Sequence, residues 1–152
     1  MSGDELRPSF VDTNVFVYAL SGLDPKRSLI AQGLVSELIA SGALSTSTQV
    51  LQELFVTVTR KVRPAVTPEH ALRYMDRIAT SRVTVLDYAS VRAAVELSLT
   101  ASLSFWDALI LVAASRSGAS RLYTEDLNHG QTILGVEVIN PFVDSPPSPR
   151  PD

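Results

Sequence analysis

Cysteine is absent from the chain. Without a thiol there can be no disulfide, no thiolate metal site and no cysteine nucleophile, so zinc-finger and cysteine-hydrolase classes fall away and a reducing, cytoplasmic setting is the expectation. Long apolar runs are missing as well. No stretch approaches the roughly 18–20 residues that span a bilayer, and the opening Met1-Ser2-Gly3-Asp4-Glu5-Leu6-Arg7-Pro8 is charged with no apolar core, which predicts a soluble protein. The seven glycines are scattered rather than gathered into a phosphate-cradling loop, which disfavours nucleotide-cofactor enzymes. Only two histidines occur, His70 and His129, and neither sits in a Ser/His/Asp or paired-histidine pattern; both read as surface or capping residues. Positive charge is also scarce. Thirteen Lys and Arg against 16 Asp and Glu leave a net charge of −3, which argues against a broad electrostatic grip on nucleic acid.

An apolar content of 45% in 152 residues suffices for one buried core, and short strands alternate along the chain with longer helices. Phe10-Val11 reads as a buried strand that stops at Asp12-Thr13-Asn14 and leads into a helix through Val15 to Leu20. Asp24-Pro25 is a cap with proline at the first helical position, and Leu29, Ile30, Leu34, Leu38 and Ile39 recur at helical spacing until Ser41-Gly42. A brief strand at Ala43-Leu44-Ser45 and hydroxyl caps at Ser45 to Thr48 precede a helix carrying Val50, Leu51, Leu54, Phe55, Val58 and Val62, over by Pro64. Thr67-Pro68-Glu69 starts a fourth helix with Leu72, Met75 and Ile78 inward. Val83 to Leu86 is strand-like, Ser90 to Leu99 helical, and the unbroken apolar stretch Ala108 to Ala114 is a buried helix ended by Ser117-Gly118. Strands at Arg121-Leu122-Tyr123 and Val136 to Ile139 close the chain. The alternation predicts an α/β fold, with a small, mainly parallel sheet covered on both faces, as a single domain over residues 1–143. The proline-rich tail 144–152 lacks the backbone donors for a regular element and is expected to be disordered or loosely extended.

Four carboxylates stand out. Asp12 ends a strand, where ligands gather in open α/β sheets, and the triplet Asp12-Thr13-Asn14 packs oxygen ligands suited to Mg²⁺ or Mn²⁺; equally, Asp12 could simply cap the next helix. Asp126 follows Leu122-Tyr123 in Thr124-Glu125-Asp126, with a plain turn-capping acid as the alternative; Glu125 would point away from Asp126 on an extended stretch. Asp107 sits in the most apolar part of the sequence and needs a partner or a metal, while Ser104-x-x-Asp107 also approximates a capping box. Glu53, at the margin of its helix's apolar stripe, is indistinguishable from a solvated glutamate by position alone. Gathered together, four carboxylates would repel unless a divalent cation neutralised them, and such a site could activate water against a phosphodiester. The positive charge concentrates in residues 60–82, where Arg60, Lys61, Arg63, Arg73, Arg77 and Arg82 face only Glu69 and Asp76, leaving the remainder at −7. Any nucleic-acid contact is expected there, against the alternative of a solvated helix face.

The segments Phe10-Val11-Asp12-Thr13-Asn14-Val15, Gln52-Glu53-Leu54, Leu103-Ser104-Phe105-Trp106-Asp107-Ala108-Leu109-Ile110 and Leu122 to Gln131, in this order and spacing, resemble the PIN-domain nucleases, in particular VapC-type toxins of type II toxin–antitoxin systems. The resemblance spans roughly residues 9 to 142. It implies a PIN-like three-layer α/β/α sandwich, with Asp12, Glu53, Asp107 and Asp126 as an acidic quartet that is both catalytic and metal-binding. Thr13, Asn14, Ser104 and Thr124 fall in supporting positions. It further implies an Mg²⁺- or Mn²⁺-dependent endoribonuclease acting on structured RNA, often tRNA or rRNA, with a small antitoxin partner and commonly a homodimer. Some relatives carry a histidine six residues before the third acid, where this chain has Ala101.

Two other classes compete. One is a PIN-fold RNA-binding or regulatory module with little turnover, against which the intact quartet argues. The other is a phosphatase or receiver domain; here Asn14 replaces the second aspartate such sites use, and no lysine follows the late strand at Tyr123.

Overall fold

The structure is a computed structural model that describes residues 7–143; the tail expected to be disordered lies outside the described residues. Six strands form one sheet in the order β3-β2-β1-β4-β6-β5, with β1 at Ser9–Val11, β2 at Leu44–Ser47, β3 at Arg82–Thr84, β4 at Arg121–Tyr123, β5 at Thr132–Ile133 and β6 at Val136–Ile139. All neighbours pair in parallel except β5, which runs antiparallel to β6. The helices are α1 (Thr13–Ser21), α2 (Pro25–Ser41), α3 (Thr48–Val56), α4 (Pro68–Ile78), α5 (Tyr88–Ala101) and α6 (Phe105–Arg116).

Chain order and strand order together decide where a site can form. From β1 the chain steps through β2 to β3, then returns past β1 to β4 on its other side. With right-handed crossovers, α1 to α4 cover one face and α5 and α6 the other, giving the three-layer α/β/α sandwich. The reversal falls between β1 and β4, so the crevice of an open parallel sheet opens at the carboxyl ends of these two strands.

Both faces of β1 are covered, and Ser9, Phe10 and Val11 are buried without break, as a central parallel strand requires. Against it pack Val15 and Phe16 of α1, Leu54 of α3 and Leu111 of α6, all fully buried. Helix α6 buries every residue from Ala108 to Ala114; α5 then lies outside it, with Ala94 packing among Ala108, Leu109 and Val112. Caps hold the termini where the sequence placed them. Asp24 accepts from the backbone of Lys26 and Arg27, Thr67 from His70, and Gly42, at φ 72°, closes α2 by donating to Ile39 while Ala43 donates to Leu38.

Several local expectations differ from the structure. On α2 the buried line is Ser28, Ala31, Val35 and Leu38, and Leu29 is 73% exposed, because the inward face is set by small residues that let α2 approach α1. On α4 the inward residues are Ala71, Tyr74, Met75 and Ile78, so Leu72 is exposed. Strand β3 ends at Thr84, leaving Val85 outside the sheet. The helix expected up to Pro64 is α-helical only to Val56 and continues as a π-helical turn, Thr57–Lys61, in which Val62 donates to the Thr57 carbonyl.

Candidate active site

Three consecutive residues build the centre. Asp12 follows β1 at the sheet's carboxyl edge, its backbone N–H held by the Tyr123 carbonyl at 3.0 Å, while the Thr124 N–H is held by Ile139 at 3.0 Å. The ends of β1, β4 and β6 are thereby aligned. The Asp12 carboxylate, only 8% exposed, accepts from the Thr13 N–H at 2.7 Å through Oδ1 and from the Thr124 hydroxyl at 2.9 Å through Oδ2. It therefore caps α1 as well as facing the crevice; the two readings of Asp12 are compatible.

Thr13 and Asn14 reach in different directions because successive helical residues diverge by about 100°. The Thr13 hydroxyl donates to Glu53 Oε2 at 3.1 Å, and the other oxygen of Glu53 accepts from Gln49 at 2.7 Å. Asn14 Nδ2 donates to Asp126 Oδ2 at 3.0 Å and to Thr124 Oγ1 at 3.2 Å, while its Oδ1 accepts from the Glu125 N–H at 3.3 Å. Fully buried Thr124 is the hub of this side: its hydroxyl donates to Asp12 and accepts from Asn14 and, at 3.1 Å, from the Asp126 N–H.

Electrostatics follow from this packing. Burial, above all, pushes the Asp12 carboxyl up from 3.8 to about 6, with the neighbouring charges of Asp126 and Glu53 adding to the rise and the hydrogen bonds from Thr13 and Thr124 opposing it. Glu125 does turn away from Asp126. Its carboxylate accepts from the Tyr18 hydroxyl at 2.9 Å and lies 3.6 Å from Arg27, whose guanidinium also binds Asp24 at 2.9 Å and lies over the mutually packed rings of Tyr18 and Phe142. Sequence reasoning missed this cluster, because Tyr18, Arg27 and Phe142 are unremarkable until the fold brings them together.

Asp107 occupies the first turn of α6, where its N–H donates to the Ser104 hydroxyl at 3.1 Å. The other end of that helix touches the sheet's opposite edge, with Ser117 3.2 Å from Ser45, so its start lies at the same carboxyl edge as Asp12. No hydrogen bond joins the Asp107 side chain to the other three acids among the described residues. Asp12, Glu53 and Asp126 are thus drawn together through Thr13, Asn14 and Thr124, whereas among the described residues no such contact joins Asp107 to them. Among the described residues no three acids are grouped closely enough to clasp one ion. The donor set is nevertheless all oxygen, with burial raising the Asp12 carboxyl to about 6, which fits a hard divalent cation.

The basic stretch divides. Lys61 lines a cleft with Glu53 and Trp106, and Arg60 is its neighbour on the π-helical turn. Arg77 instead lines a second cleft, with Gln32, His70 and Tyr74, and touches Ser36. Arg73 is on the same helix as Arg77, Arg63 binds the carbonyls of Arg60 and Val62, and Arg82 binds the Ser117 carbonyl at the far edge. His129 accepts from the Asn140 N–H.

The PIN domain family model matches residues 9–132. The chain belongs to the PIN domain family. No curated protein matches it by sequence. Among solved structures, this PIN domain is similar to a toxin–antitoxin complex from Klebsiella pneumoniae, at 18% identity and TM-score 0.64, covering 88% of this chain and 98% of that one. It is similar to Mycobacterium tuberculosis VapC20, a sarcin–ricin loop cleaving toxin, at 24% identity and TM-score 0.60, over 78% and 91% of the two chains. It also resembles VapBC2 of Rickettsia felis bound to a promoter DNA fragment, at 18% identity and TM-score 0.62, over 86% and 96%. No helix among the described residues is long and apolar enough to cross a membrane.

Proposed function

We propose that the protein is the toxin of a type II toxin–antitoxin system, an Mg²⁺- or Mn²⁺-dependent endoribonuclease that hydrolyses RNA phosphodiester bonds with Asp12, Glu53, Asp107 and Asp126. The observation that carries this reading is Asp12 itself, a carboxylate buried at the sheet's switch point with Glu53 and Asp126 acting on its charge. Structural neighbours that are toxins, one of them described as cleaving the sarcin–ricin loop, support an RNA substrate, with tRNA and rRNA the expected classes. The likeness to a toxin–antitoxin complex and to VapBC2 supports a small antitoxin partner. A homodimer working in the cytoplasm completes the reading.

Asp12, Glu53, Asp107 and Asp126 would hold the cation, which when bound lowers the pKa of water and offsets charge on the departing oxygen. Within the chain, Thr124 and Thr13 fix the rotamer of Asp12 by saturating one lone pair on each oxygen, leaving the remaining lone pairs toward the crevice. Thr13 holds Glu53 and Asn14 holds Asp126, so two acids are kept at defined distances from Asp12 before substrate arrives. The Tyr18–Glu125–Arg27 cluster steadies the turn on which Asp126 rides. Ser104 fixes the first turn of α6 and hence the approach of Asp107.

The experiment is cleavage of total cellular RNA by antitoxin-free protein, wild type against Asp12→Asn, with Mg²⁺ or Mn²⁺ and then with chelator. Discrete fragments requiring both metal and Asp12 are expected. Fragments that persist in Asp12→Asn would remove Asp12 from the chemistry, and binding without metal-dependent fragments would favour a regulatory RNA-binding module.

A further inference from the structure

Trp106, the only tryptophan of the chain, stands at the second position of α6 and is 62% exposed. An indole is costly to leave in water, and this one is held in place from behind: Phe105, half-buried against α5 and α6, packs edge-on to it with centroids 5.1 Å apart and planes at 76°. The free side of the ring borders a cleft of about 540 Å³ lined also by Gln52, Glu53, Val56, Thr57 and Lys61. Lys61 makes no ion pair among the described residues.

Four of the six lining residues are polar or charged, so an apolar helix laid into the cleft would have to desolvate both Lys61 and Glu53. A nucleobase has the opposite needs. Its face stacks on an aromatic ring, its edges accept and donate to groups such as Gln52 and Thr57, and the adjoining phosphate meets a cation. Glu53 belongs to this cleft and to the carboxylate cluster at once, through Thr13. A base held on Trp106 therefore lies one side chain away from the site of cleavage. Bases inside a duplex already stack on one another and cannot be offered to the ring; a base from a loop, bulge or end can.

We propose that Trp106 and Lys61 form a subsite for one unpaired nucleobase of the RNA and its flanking phosphate, immediately beside the carboxylate cluster. The proposal rests on the ribonuclease reading and names the form of RNA that the site takes. Because Trp106 is the sole tryptophan, its emission reports the subsite directly, without cleavage.

The test titrates the full-length protein, in chelator, with a single-stranded hexamer of adenylate. Tryptophan emission is followed alongside the anisotropy of the same oligomer carrying a 5′ dye. Saturable quenching with the midpoint of the anisotropy curve is expected. Trp106→Ala should weaken binding about ten-fold and Trp106→Phe should recover most of it. Lys61→Ala should reduce the slope of log affinity against log salt by about 0.7, the loss of one phosphate contact. Emission that stays constant while anisotropy reports binding would overturn the proposal, as would Trp106→Ala binding like wild type. A blue shift that grows with protein concentration in the absence of RNA would show a second protein copy covering the ring, again overturning it. If neither signal changes, the subsite is refuted; persistence of metal-dependent cleavage in that case would leave the ribonuclease reading intact, and its loss would sink both.

Discussion

Replacing Asp12 by Asn should destroy cleavage yet make the metal-free protein more stable at alkaline pH. In the folded chain the Asp12 carboxyl titrates at about 6, chiefly because it is buried, against 3.8 for the unexposed-to-protein value expected on unfolding. A carboxyl raised in the folded state contributes no penalty below the unfolded value and loses stability as pH rises, with the full cost in force above about 6. At about 1.4 kcal/mol per factor of ten, that cost is about 3 kcal/mol at pH 8 and about 1 kcal/mol at pH 4.5. Asparagine carries no charge and keeps an oxygen for the Thr13 N–H. Its amide nitrogen, though, would meet a Thr124 hydroxyl that already accepts from Asn14 and Asp126, so about 1 kcal/mol of hydrogen bonding is lost. The net gain is about 2 kcal/mol at pH 8, or about 4–8 °C in melting temperature for a chain of this size, falling to near zero at pH 4.5. Calorimetric scans in chelator at the two pH values read this directly. A variant no more stable than wild type at pH 8, or a gain that is the same at both pH values, would refute the claim that Asp12 is held at an energetic cost.

Three further outcomes follow from the same contacts. Thr124→Val keeps the side-chain volume but strips Asp12, Asn14 and the Asp126 N–H of their shared hydroxyl, so it should cost about 1–3 kcal/mol in urea unfolding at pH 8 and push the Asp12 carboxyl above its present value, visible by NMR titration. Tyr18→Phe removes the donor to Glu125 and should destabilise by about 1 kcal/mol while lowering the turnover number more than it changes KM, since the turn bearing Asp126 loosens; equal KM and kcat effects would count against a positioning role. Leu111→Ala, at a fully buried site of α6 between helix and sheet, should cost about 2–5 kcal/mol in denaturant without altering metal dependence.

Much of the layout was legible from short-range signals. Asp24-Pro25, Thr67-Pro68 and Gly42 place helix ends by local hydrogen bonding alone, and the structure uses all three. Apolar runs revealed β1 and α6 because both are buried on all sides. Facing was harder. Leu29 and Leu72 look like core residues by hydropathy, but α2 and α4 turn Ala31 and Ala71 inward, because close helix packing selects small residues and hydropathy scales reward large ones. The π-helical turn at Thr57–Lys61 left no periodic mark in five residues, although it sets where Lys61 points. Within the site, Asp12 was suggested by its place after a strand. Glu53 stood out only through the family resemblance, since the contact with Thr13 that draws it in spans 40 positions and no local pattern encodes it.

The triplet Asp12-Thr13-Asn14 explains how acids from such remote parts of the chain converge through neutral hydrogen-bond donors. A strand end puts Asp12 at the crevice, and the first turn of α1 then fans the next two side chains apart. Thr13 takes the side of α3 and Glu53; Asn14 takes the side of β4 and Asp126. Both are neutral donors, so they hold the carboxylates by hydrogen bonds that leave the negative charge of the site uncompensated. Burying the ionised Asp12 costs the folded chain stability, and an incoming cation recovers that free energy by pairing with the carboxylate. A single turn of helix therefore sets both the spacing of the acids and the electrostatic demand they place on whatever binds between them.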